Sequence, residues 1–356
     1  MHFIKGLFYC GYLLLFSSNS FAQDPKDRLT ILNWSDYLAP DIVAEFEAKY
    51  DAEVTQIYYE TDEQRTQMLV DNNAAGYDLI LSSGIDLAPY ANRGWISPLN
   101  KEQLPNLGNL SSRWLKAYSH SMDYAVPYFW GTVGIIYRTD LVQQPITSWM
   151  RIFQPNDELK GHIGMIADGR DMLSLGLKAL GYSINSGAKQ ELEQVELLLL
   201  NQKQHVRSYQ YMNLDETSEI ITGDLWASMI YSGDALMVME HSDLLEYVVP
   251  DEGSNIWVDY FVVGAMSSNK KLAHQFLNFI NEPEVAARMA EFTYYATPNF
   301  QAEKLLPKEF VSDPVIYPSE EVLVKSEFYQ PIPARQLLRR NNVSSKVLSE
   351  IYAPKL

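Results

Sequence analysis

"LTILNWSDYLAPDIVAEFEAKY", residues 29–50, passes from an apolar run through a polar tip into a helical repeat. Leu29 to Trp34 reads as a buried strand. From Pro40 onward Ile42, Val43, Phe46 and Tyr50 recur at helical spacing, and proline suits the first turn of a helix. Between them Trp34, Ser35, Asp36 and Tyr37 place two rings and a carboxylate where the strand ends.

The alternation continues outward. "AEVTQIYYE" reads as a strand, "DEQRTQMLVDN" as a helix, "YDLILSS" as a strand ending at Ser83, and "DLAPYANRG" as a short helix stopped by Gly94. Strand-helix alternation predicts an α/β fold with a parallel sheet. Ligands of such sheets sit beyond the carboxyl ends of the strands. A second α/β stretch begins near "YRTDLV" and runs through "LWASMIYSGDALMVM" to the strand "NIWVDYFVVGAM". A long helical pattern follows, interrupted at Pro283. At 356 residues with 47% hydrophobic content the chain has material for two lobes.

Residues 1–22 read as a cleavable leader: Lys5, an apolar run from Leu7 to Phe16, then Ser20-Phe21-Ala22. The run is short for a bilayer span, and no later segment is long and apolar enough to cross a membrane. Cys10, the one cysteine, lies inside this leader behind Phe8-Tyr9, so disulfides and zinc thiolate sites are excluded after cleavage. The formal charge of −17 argues against nucleic acid and anionic lipid and favours a cationic ligand, although an acidic soluble surface accounts for it equally well.

Asp259 is the most informative residue. With period two it shares a strand face with Trp257 and Phe261. A buried carboxylate needs a cationic partner, supplied either by a ligand or by an internal Lys or Arg. In "ADGRDM", Asp168 and Asp171 stand three apart at a helix start; Asp168 reads as an N-cap, a ligand contact or both. Asp234, in "MIYSGDALM" after Tyr231, reads as a helix cap or a site residue. Together Asp36, Asp168, Asp171, Asp234 and Asp259 are acids at element ends, with Trp34, Tyr37, Tyr231, Trp257 and Tyr295 close by. Carboxylates hold ammonium groups and ring faces hold cations and methylenes, so the set suits an extended organic cation.

The adjacent Tyr294 and Tyr295 raise ferric iron as a lesser reading. The six histidines show no ligand spacing, and neither a metal nor a cofactor is expected. There is no Gly-x-Ser-x-Gly, His-Glu-x-x-His, phosphate loop or cysteine nucleophile; a carboxylate-based hydrolase is the rival from the enzyme class.

"ILNWSDYLAPDIVAEFE", "YDLILSS", "YAVPYFWGTVGI", "TSW", "LKALGYS", "IWVDYF", "AHQFLNFINEPEVA" and "YYATPN" resemble, in this order, the periplasmic polyamine-binding proteins of spermidine and putrescine ABC importers. The resemblance runs from about residue 29 to about 330. It implies a non-enzymatic monomer of the two-lobed periplasmic binding protein fold (type II), with its ligand in the cleft. Lobe one would take residues 23–134 plus 256–300, and lobe two 135–255 plus 301–356. By similarity Trp34, Ser35, Asp36, Tyr37, Ser83, Asp168, Trp257, Asp259 and Tyr295 match pocket positions, and Asp234 matches an acid of the putrescine-type members.

The chain departs from the pattern at four places. Tyr231 stands for a tryptophan, Asp171 for a glutamate and Ile85 for a tyrosine, and Gln330 matches a pocket glutamine only after a shift that would put Tyr329 there. The implied partner is an inner-membrane ABC permease. "GHIGMIADGRDML" and "SEFYQPI" look closer to relatives that sense norspermidine and report to a membrane cyclic-di-GMP enzyme controlling biofilm, which makes a membrane-bound signalling receptor the alternative partner.

Overall fold

The computed structural model describes residues 27–166 and 168–353; the expected leader at 1–22, with Cys10, lies outside them. The strands are β1 (Asp27–Asn33), β2 (Ala52–Tyr58), β3 (Leu79–Ser83), β4 (Ile96–Ser97), β5 (Ala125–Arg138), β6 (Ile163–Gly164), β7 (Val206–Ser208), β8 (Ala227–Tyr231), β9 (Leu245–Val248), β10 (Asn255–Gly264) and β11 (Glu327–Phe328). Their main path runs β2-β1-β3-β10-β5-β8-β6-β7. Helix Pro40–Tyr50 starts with proline in its first turn, as expected, and helix Asp62–Asp71 is capped by Thr61, whose side chain accepts from the Gln64 amide. The long helical pattern is two helices, Lys270–Phe279 and Pro283–Thr293, divided just before the proline.

The expected parallel sheet is mixed. β1 pairs β2 and β3 in parallel, but β10 runs antiparallel to both β3 and β5. β5 is antiparallel to β8, and β6 is parallel to β7 and β8. Period-two patterning assigns faces and is silent about direction. In β1, Leu29 and Ile31 face one hydrophobic cluster and Leu32 another. β3 and β10 divide their residues between the same two clusters, which sandwich the first half of the sheet. Two further clusters flank β8 and the second half of β5.

β5 is therefore common to both lobes: Ala125–Thr132 pairs with β10, and Val133–Tyr137 with β8. Two other segments cross beside it and are tied to it. The Ser254 hydroxyl donates to the Val133 carbonyl at 2.5 Å, and the Ser254 amide donates to the Ser326 hydroxyl at 3.0 Å. Gly253 has a φ of 83°, and a Cβ there would lie 2.3 Å from the Lys325 carbonyl oxygen, so only glycine lets these two strands of the crossing approach.

Packing divides the chain differently from the expected partition after residue 300. Ala302 and Leu306 join one first-lobe cluster, and Ile316 and Leu323 the other. These four side chains complete the core around β10 and β3, while Val315 packs in a second-lobe cluster with Ile136 and Ile230. Contacts with lobe two begin at Glu327, ion-paired to Lys178 at 2.8 Å, and helix Ala334–Ile351 then packs on that lobe, where Val347 enters the core and the Arg340 guanidinium donates to Ser174. Among the described residues no helix is long and apolar enough to cross a membrane.

Candidate functional site

The polar tip after β1 is a turn in which Asp36 adopts a left-handed φ of 54°, a conformation Asp tolerates better than most residues. The turn exposes Ser35 and Asp36 and sends Tyr37 inward. The Tyr37 hydroxyl donates to Asp259 Oδ2 at 3.1 Å. A register shift in the β5–β10 pairing explains how Tyr37 is held: Asp259 faces Phe129, Tyr260 faces Pro127, and Tyr128 is the extra residue. Such a bulge breaks the alternation and turns two consecutive rings to one side. Both rings meet Tyr37 edge-on, Tyr128 at 5.6 Å and Phe129 at 5.5 Å, and the Tyr128 hydroxyl donates to the Tyr37 carbonyl. Proline is tolerated in β5 because it sits at this irregularity.

Three carboxylates converge with aromatic rings. Asp259 lies on β10 opposite Ser83 of β3, in lobe one. Asp171, in the first turn of helix Gly169–Ala179, is 4% exposed and accepts from the Tyr231 hydroxyl at 2.8 Å and from the Tyr329 hydroxyl. Asp234, in helix Ser232–Met239, accepts from the Tyr295 hydroxyl at 2.6 Å and from the Tyr211 hydroxyl. Because Tyr295 packs in the first-lobe core and Asp234 belongs to the second lobe, their bond crosses the cleft. Trp257 stands between them, edge-on to Tyr295 at 4.8 Å and to Tyr231 at 6.2 Å. In "SGD", a Cβ on Gly233 would lie 2.5 Å from the Tyr295 ring, so glycine is what lets that ring reach Asp234.

The electrostatics follow from burial. Burial pushes the Asp259 carboxyl up to about 7, the Asp62 charge adds to the rise, and the Tyr37 hydrogen bond opposes it. Burial and then the Asp168 charge push Asp171 to about 7, against the Tyr329 and Tyr231 hydrogen bonds. Asp234 is raised by burial alone, its two tyrosines opposing. A cation in the cleft would restore the ionised form of all three acids. That is the chemistry of an ammonium-binding box, with ring faces between the charges for methylenes.

The remaining expected residues divide. Asp168 is the N-cap of helix Gly169–Ala179, its Oδ1 accepting from the amides of Arg170 and Asp171 at 2.8 Å each. Asp259 forms no internal ion pair among the described residues, and Asp234 accepts side-chain hydroxyls rather than capping its helix. Trp34 lies 4.4 Å from the Tyr59 ring. Gln330 is exposed and its backbone amide donates to Asn185; of the two residues left open for the pocket position, Tyr329 is the one that is buried, with its hydroxyl on Asp171. Tyr294 and Tyr295 send their hydroxyls to different acids, Glu240 and Asp234, so they do not converge as a phenolate pair.

Four charged residues were not anticipated: Asp62, Arg65, Asp86 and Arg170. Arg65, with a side chain 1% exposed, donates to Asp62 and Asp86 at 2.5 Å each, and Arg170 of the second lobe donates to Asp62 at 3.1 Å. The i,i+3 spacing of Asp62 and Arg65 was the available signal. Tyr211, in a loop without pattern, gave none.

The sequence profile described as bacterial extracellular solute-binding protein matches residues 41–317. The spermidine/putrescine-binding periplasmic protein of Salmonella typhimurium is 30% identical over 330 residues, covering 92% of this chain and 93% of its own. The norspermidine sensor of Vibrio cholerae is 29% identical over 328 residues, covering 92% and 90%. The solved spermidine/putrescine ABC transporter substrate-binding protein of Streptococcus pneumoniae superposes with a TM-score of 0.78 at 26% identity, covering 92% of this chain and all of that one.

Proposed function

Because the chain belongs to the bacterial extracellular solute-binding protein family, we propose that it binds a polyamine in the cleft and presents the closed complex to a membrane partner. The observation that carries this reading is the trio Asp171, Asp234 and Asp259: three carboxylates contributed by both lobes, each already hydrogen-bonded by tyrosine hydroxyls and walled by Trp257, Tyr231 and Tyr295. Trp34, Ser83 and Asp168 support this box from the ends of β1, β3 and the loop after β6. The protein does no chemistry on its ligand: its relatives are named as binding proteins and a sensor. The leader at residues 1–22 delivers the mature chain to the periplasm, the compartment named for the Salmonella relative.

Thermal unfolding with and without spermidine or putrescine tests the assignment. A ligand that binds only the folded state raises the midpoint with concentration. The wild type should show that rise and Asp234→Asn a smaller one; equal rises in both would remove Asp234 from the site.

The partner is an ABC permease in the simplest reading. The likeness to a norspermidine sensor supports a second, in which the closed form engages a membrane signalling receptor. Loss of labelled polyamine uptake on deleting the gene marks transport, and unchanged uptake marks signalling.

A further inference from the structure

The charged cluster beyond Asp171 and Asp259 bridges the lobes. Asp62 offers one oxygen to Arg65 at 2.5 Å and the other to Arg170 at 3.1 Å, so both are occupied by the protein's own guanidinium groups. Arg65 is fixed in turn by Asp86 at 2.5 Å. Arg170 comes from the first turn of helix Gly169–Ala179, next to Asp171, and its guanidinium carbon lies 5.6 Å over the Tyr329 ring, whose hydroxyl reaches Asp171. A fixed positive charge therefore stands one ring away from an acid of the binding trio. Arginine does not lose its proton, and in a half-buried setting its repulsion of another cation is weakly screened.

We propose that Arg170 sets the length of ligand the cleft accepts, selecting an alkyl diamine over an alkyl triamine. Its guanidinium occupies the region a third ammonium would enter and takes the carboxylate that would receive it. The proposal rests on the polyamine reading above and adds to it a residue that decides between ligands. A diamine spans from Asp234 to the Asp171 and Asp259 end without meeting Arg170; a triamine held by the same acids extends towards it. Neutralising Arg170 frees one oxygen of Asp62, the other staying with Arg65, and removes the repulsion. Neutralising Asp62 leaves Arg170 with less counter-charge and sharpens the exclusion. A plain interlobe latch would respond differently, since losing either partner would weaken both ligands alike.

The experiment is calorimetric titration of wild type, Arg170→Gln and Asp62→Asn with putrescine and with spermidine. Wild type should prefer putrescine. The spermidine-to-putrescine affinity ratio should rise about tenfold in Arg170→Gln, the scale of one partly screened charge contact, and fall in Asp62→Asn. A ratio that is unchanged or lower in Arg170→Gln, or a wild type that prefers spermidine, overturns the proposal. If Arg170→Gln does not fold, Asp62→Asn decides alone: a lower ratio supports the proposal and an unchanged or higher one overturns it. Failure of the wild type to bind either amine is a separate result, read before any variant, and removes the polyamine reading together with this one.

Discussion

Asp259 sits in the middle of a strand that is otherwise core, with one tyrosine hydroxyl as its partner. Replacing it by asparagine keeps the shape and removes the charge, so polyamine binding should weaken by at least ~1.5 kcal/mol, the worth of a hydrogen bond to a charged group. Titration of Asp259→Asn reads this directly, and unchanged affinity would take the residue out of the pocket. The pH dependence has a definite sign. Asp171 and Asp259 have carboxyls raised to about 7 in the free fold, above the ordinary aspartate value. Between about pH 4 and 7 the native state therefore holds more protons at these groups than the unfolded chain, and their contribution to stability falls as pH rises. Ligand affinity should rise over the same interval, because the cation selects the ionised acids. Titration near pH 6 in buffers of different ionisation enthalpy should show proton release on binding; release of no protons would contradict the raised values. Asp259, Asp171 and Asp234 were legible because each stands where an apolar run ends or is interrupted. Arg170 and Asp62 were not, because a charge on a helix reads as solvated face until a partner from elsewhere in the chain buries it.

At the level of elements, the helix Gly169–Ala179 does two jobs. Its N-cap Asp168 fixes where the helix begins and hence where Asp171 and Arg170 point. Asp168→Ala should cost about 1 kcal/mol of stability by cap loss, measurable by denaturant unfolding; a protein as stable as wild type would mean the cap is redundant. Helix Ser232–Met239 depends instead on Gly233. An alanine there would collide with the Tyr295 ring, and relieving such overpacking costs typically 1–3 kcal/mol. Gly233→Ala should therefore lower ligand affinity by separating Tyr295 from Asp234, with secondary structure by circular dichroism unchanged; wild-type affinity would show that the ring shifts without consequence. The helix start at Pro40 and the interruption at Pro283 could be read from sequence because proline acts locally. The bulge at Tyr128 could not: it exists only in the pairing with β10.

Across the whole molecule, the crossing of β5, Ser254 and Ser326 joins two lobes that also meet over the cleft, through bonds such as Tyr295 to Asp234 and Arg170 to Asp62 and through the edge-on contact of Trp257 with Tyr231. Closure of two lobes around a ligand is a hinge motion, and these bonds tie the two sides of the cleft to each other. The two-lobed plan was readable from chain length and from motif resemblance. The packing of Ala302, Leu306, Ile316 and Leu323 on lobe one was not, since an apolar residue in a short helix does not reveal which core it completes. The direction of β10 was hidden for the same reason as any isolated strand: pairing, not pattern, determines it. The family likeness and the acid trio make one claim, that this cleft holds an organic polycation. The measurement that tests it most directly is calorimetric titration of residues 23–356 with putrescine, spermidine and norspermidine, and with ferric citrate as control. Saturable binding of at least one amine and none of iron is the predicted result; no amine binding, or binding of iron alone, would contradict it.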